Sequence, residues 1–173
     1  MGTPPKPAEA ARKGIFDELE NWLTSGYGKK EDLRALDKAI RDQYYGSLVT
    51  LRHKWEKIYL QVIEAGQTAI ARGCKTTIQT MDHLAESVNR ADYGYAPIFD
   101  RVEKIQGETL QKMLDYDRGL DNGLLQLSQD VANAESALKA STWPVLNGFV
   151  DTINEDLRSI EDDWSKRKQL MRS

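Results

Sequence analysis

A chain of 173 residues with 40% hydrophobic and 29% charged content has enough apolar material for one folded domain. Its net charge of −3 disfavours generic binding to nucleic acid or to anionic membranes. The single cysteine, Cys74, excludes an internal disulfide and a cysteine-cluster metal site, and no run approaches the roughly 18 consecutive apolar residues of a membrane span.

Residues 1–7 contain Pro4, Pro5 and Pro7 and lack the apolar core of a secretory signal, so they predict a disordered leader ahead of a single helical domain over 8–173. Gly2 invites lipidation, but Lys6 stands where that motif wants Ser or Thr. Together with one reduced thiol, this suggests a cytoplasmic protein. β-Branched residues nowhere alternate with polar ones, which argues against strands.

The first helix is predicted over Ala8 to Thr24, with Ala11, Ile15, Leu19 and Trp22 on one face and Ser25-Gly26-Tyr27-Gly28 as its stop. A second begins near Lys30. Its seam runs Leu33, Leu36, Ile40, Tyr44, Leu48, Leu51, Trp55, Ile58, Val62, Ala65 and Ala69, then through Gly73 or Cys74 to Ile78, Met81, Ala85 and Val88. Read as one helix it is roughly 90 Å long and needs a partner along its whole length. A turn is predicted at Tyr93 to Pro97.

The third helix carries Ile98, Val102, Ile105, Thr109, Met113, Tyr116, Leu120, Leu124, Leu127, Val131, Ala134 and Leu138 at the same spacing. Ser141-Thr142-Trp143-Pro144 interrupts it, because Pro removes a helical hydrogen bond and clashes with the preceding turn. Ser141 or Thr142 offers a cap for a fresh helix with Pro144 in its first turn. The seam is nevertheless continued through Thr142, Val145 and Phe149 to Ile153, Leu157, Ile160 and Trp164, so a kink or brief interruption with nearly collinear pieces is expected. The predicted fold is therefore all-α: an elongated antiparallel hairpin of two very long helices, the second kinked near Pro144, with a short N-terminal helix. In periodicity it resembles coiled-coil hairpins and spectrin-type bundles, which implies an elongated architecture.

Charge is uneven, with a balance of +2 over residues 1–90 and −5 over 91–173. A turn near Gly94 would set Arg34, Lys38 and Arg41 across from Asp151, Glu155 and Asp156, and Arg52, Lys54 and Lys57 across from Asp130 and Glu135. The same register faces Gly66 with Gly123 and Ala69 with Gly119, as a close approach of two backbones would require; a bend at these glycines is the competing expectation. It also leaves the end of the third helix overhanging. Trp22, Ile160, Trp164 and Met171 are thus candidate anchors of a homodimer interface, with Tyr93 and Tyr95 at the opposite tip as a second contact point. A compact outcome would instead require breaks at Gly66–Gly73 and at Pro144, giving a four- or five-helix bundle in which a ligand pocket becomes the better hypothesis.

Chemical motifs are weak. Di-iron bundles place Glu three residues before a histidine ligand, and here Thr50 and Thr80 precede His53 and His83. Cys74 reads as a buried core residue, and the acidic groups at Asp115, Asp117 and Asp121 and at Glu161–Asp163 read as solvated faces without a calcium-binding loop. No inward-facing titratable cluster is evident on the seams, and no catalytic residue, metal or cofactor is predicted. The expected function is a non-enzymatic helical scaffold acting through protein–protein interaction and self-association. A ligand-sensing or membrane-associated bundle is the alternative.

Overall fold

The computed structural model describes residues 30–91 and 107–172. They form four helices: α1 (Lys30–Glu64), α2 (Thr68–Asn89), α3 (Gly107–Lys139) and α4 (Trp143–Arg172). Helices α1 and α2 make one hairpin, α3 and α4 a second, and the two hairpins pack into a bundle. There is no strand among the described residues.

The single long hairpin expected from the seams is therefore corrected, because each long segment ends and reverses midway. The cause is the same local motif used twice. Gly66 adopts φ 73°, and the Gly66 N–H donates to the Ile63 carbonyl while the Gln67 N–H donates to that of Val62. Ser141 adopts φ 52°, with Ser141 and Thr142 donating to the carbonyls of Leu138 and Ala137. Both are left-handed helix C-caps of the Schellman type, which satisfy the last carbonyls and turn the chain away. Thr142 adds its hydroxyl to the Ala137 carbonyl, and its own carbonyl receives the Leu146 N–H. Pro144 thus lies in the first turn of a new helix, where its missing N–H has no helical partner to lose.

Gly66 suits its cap, since glycine enters the left-handed region freely. Ser141 carries a side chain there at a cost. Ser141→Gly should accordingly stabilise the bundle by about 0.5–1 kcal/mol. Urea denaturation checks this, and a loss of stability would mean that the serine side chain contributes more than its backbone strain removes.

Within each hairpin the strands of contact run antiparallel. The indole of Trp55, with no exposed surface, donates to the Cys74 carbonyl at 3.1 Å, and Arg52 pairs with Asp82 at 2.9 Å. In the second hairpin, a Cβ on Gly123 would lie 3.0 Å from Ile160, so the glycine permits a close approach of α3 and α4. Between hairpins the order is parallel. Gly73 faces Val150, Thr77 donates to Asn154, and the Trp164 indole donates to Ser87, all at one constant offset along α2 and α4. The two turns consequently lie at the same end of the bundle.

The cores follow one plan. A constant shift in number pairs Tyr44 with Leu120, Leu48 with Leu124, Trp55 with Val131, Met81 with Leu157 and Val88 with Trp164, every one of them buried. Each such side chain contributes on the order of 1.5–3 kcal/mol on burial.

The expected seams hold from Ile40 to Val62 and from Leu120 to Leu138 and then fail at the turns. Ala65 and Ala69 are exposed, and burial resumes at Ile70 and Ala71. Val145 is 51% exposed while Leu146 is fully buried, so the core phase moves by one residue across Ser141–Thr142. The facing-charge register also fails. Lys38 pairs with Asp42, and Arg52 with Glu56 and Asp82. Gly66 is a turn and not one half of a glycine contact; Gly123 faces Ile160, and Gly119 faces Asp163. The predicted leader, the helix over 8–24 and the turn at 93–97 lie outside the described residues.

Candidate functional site

Three charged residues stand on the core face near the end of the bundle away from the turns. Asp37 comes from α1, Asp117 from α3 and Arg167 from α4, with side chains 0–1% exposed. The Arg167 guanidinium donates to both carboxylates. Asp37 also accepts from Arg41 at 2.9 Å, and Arg41 reaches the Ala91 carbonyl. Tyr44 donates its hydroxyl to the Asp117 backbone carbonyl at 2.8 Å, and the Trp164 ring lies 5.6 Å from the guanidinium carbon.

Arg41, Asp37, Arg167 and Asp117 thus form a chain of alternating sign running from the edge of the bundle into its interior. Burial opposes the charge on Arg167, but the Asp117 and Asp37 carboxylates outweigh it and hold its pKa up. Burial raises the pKa of Asp117, with Arg167 pulling the other way. A buried ion network of this kind confers register more than net stability. Here it ties α1 of one hairpin to both helices of the other.

This cluster corrects the expectation that no titratable groups face inward. It was signalled at the sequence level by charges one step from seam positions: Asp37 beside Leu36, Asp117 beside Tyr116, and Arg167 three residues after Trp164. Assigning the seam to Leu36 and Tyr116 concealed them.

A second polar pair bridges α3 and α4. Asp130 is buried and Asp156 half-buried, the Asp130 carboxyl acts on Asp156, and the buried Oδ2 of Asp156 has no hydrogen-bond partner. Burial first, and then Asp130, push Asp156 up to about 7. Gln126 donates to Asp130 at 3.1 Å.

Ile160 and Trp164, expected at an exposed overhang, are 3% and 2% exposed and belong to the core. The overhang does not form, because α4 is covered by α2 and α3. Trp22, Tyr93, Tyr95 and the Met171 side chain lie outside the described residues. His53 and His83 are exposed and stand on different helices. Cys74 is fully buried, and burial pushes its thiol up to about 11, which suppresses the nucleophilic thiolate at neutral pH. Among the described residues no group of three or more His, Cys, Asp and Glu side chains could hold a metal ion, and no helix is long and apolar enough to cross a membrane.

Among the described residues Tyr45 and Leu125 are exposed on the sides of α1 and α3, and the three most exposed large hydrophobics lie at the turn end. Leu60 is 53% and Ile63 47% exposed on the last turns of α1, and Val145 begins α4 at the same end of the bundle. Leu60 points directly away from the core face defined by Leu51, Trp55, Ile58 and Val62. Lys57 and Glu64 flank it and are exposed.

The described residues form a four-helix bundle of two parallel-packed hairpins with an internal charge clamp and exposed apolar residues at the turn end. No protein-family model, curated protein or solved structure matches the chain.

Proposed function

We propose that this chain is a non-enzymatic helical-bundle module that acts through protein–protein contact and associates with itself. The observation that carries this reading is the pair Leu60 and Ile63, two large apolar side chains about half exposed on successive turns of one helix. A lone exposed leucine needs no explanation, but neighbouring ones mark interaction surfaces. The position of the histidines and the suppressed thiol supply no activated nucleophile or base.

Sedimentation velocity from low to high micromolar concentration tests the reading. The 19.6 kDa chain should approach twice its mass as concentration rises. Leu60→Glu combined with Ile63→Glu should hold it monomeric while leaving its helical circular dichroism intact. A wild-type chain that remains monomeric throughout would sink the proposal.

A further inference from the structure

We infer that the partner on this surface is a second copy of the chain, packed with its α1 antiparallel to the first about a two-fold axis beside Leu60. The inference rests on the reading that the Leu60–Ile63 face is an interface, and it adds the orientation. Lys57, Leu60 and Glu64 follow at helical spacing i, i+3 and i+7, so they share one outward face. Lys57 stands one turn before Leu60 and Glu64 one turn after it. Among the described residues neither makes an ion pair within the chain.

This arrangement is self-complementary in one direction only. An antiparallel copy centred on Leu60 sets Lys57 of each chain against Glu64 of the other, so the attractive contact occurs twice, as a closed two-fold interface requires. A parallel copy would oppose lysine to lysine and glutamate to glutamate. Exposed charge pairs of this kind select orientation, while apolar contact supplies the affinity. α1 ends at Glu64, so the overlap covers only its last turns. The two bundles would meet by their turn ends as an extended dimer of modest, micromolar strength.

Charge reversal distinguishes the orientation from the interface itself. Lys57→Glu alone should face two glutamates across the axis, and Glu64→Lys alone two lysines. Each single variant should weaken self-association about tenfold. An equimolar mixture of the two variants should recover it, since every contact then joins opposite charges. The double variant Lys57→Glu with Glu64→Lys should associate like the wild type.

Sedimentation of these four samples at low salt reads the result. If both single variants associate as tightly as the wild type, or their mixture stays monomeric, the antiparallel pairing is wrong. The interaction face itself still stands in that case, provided that Leu60→Glu with Ile63→Glu abolishes the dimer. If the leucine and isoleucine changes also leave the dimer intact, both readings fall.

Discussion

Replacing Arg167 with methionine should destabilise the bundle by about 3–5 kcal/mol, because it leaves two buried carboxylates without their counter-charge. For a chain of this size the corresponding fall in Tm is roughly 10–15 °C. Arg167 has no exposed surface, and Asp37 and Asp117 reach it from two other helices. Arg41 would still neutralise Asp37 at the edge of the bundle, so the penalty should fall mainly on Asp117. The asymmetry of buried ion pairs gives a second arm. Changing Arg167→Met, Asp37→Leu and Asp117→Leu together removes the three fully buried charges at once, leaves only Arg41 at the edge, and should recover most of the lost stability. Urea denaturation of the single and triple variants reads both effects. A single Arg167→Met variant as stable as the wild type would show that the clamp does not close in solution.

The second large effect is a dependence on pH. Asp156 ordinarily titrates near 3.8, and in the folded bundle it is pushed up to about 7 by burial and by Asp130. A folded-state pKa above the unfolded value stabilises when the group is protonated. This contribution is complete below the unfolded value of about 3.8 and is lost as the pH rises through about 7. At pH 8 the pair holds two negative charges side by side. Asp156→Asn puts a permanent donor against Asp130 and should remove that repulsion. Asp156 is half-buried, and solvent screening reduces the gain to about 1–2 kcal/mol at pH 8, or several degrees in Tm. At about pH 3, below the unfolded value, the variant and the wild type should be alike. Thermal melts of both proteins between these pH values isolate the pair from other titrating groups. An Asp156→Asn variant less stable than the wild type at pH 8 would mean that Asp130 does not disfavour the ionised Asp156 there.

Two kinds of error explain what sequence reasoning missed. Gly66 was legible as an unusual residue within a helical pattern, but a helix-interior glycine suits a close contact and a turn equally well until its φ is known. Ser141 carried even less signal, since serine enters the left-handed region at a cost and is not its usual occupant. The near continuity of Leu138, Thr142, Val145 and Phe149 then concealed the reversal. The real phase, through Leu146 and Val150, differs by a single residue. The apolar stripe that drew attention to Trp164 was correctly placed on one helix face. What covers it is the same chain, with Ser87 of α2 accepting from the Trp164 indole, and not a second protein.

The sequence by itself determined that the chain is helical, which positions from Ile40 to Val62 and from Leu120 to Leu138 are buried, and that Cys74 is an inert core thiol. These follow from local propensity and from periodicity, which each segment carries alone. Only the tertiary structure decided which helix covers which seam and that Asp37, Asp117 and Arg167 meet. A seam specifies a buried face but not its partner, so continuing a helix and folding it back satisfy the same pattern. Two left-handed caps choose between them, and the charges on the core face become tolerable only where three helices bring them together.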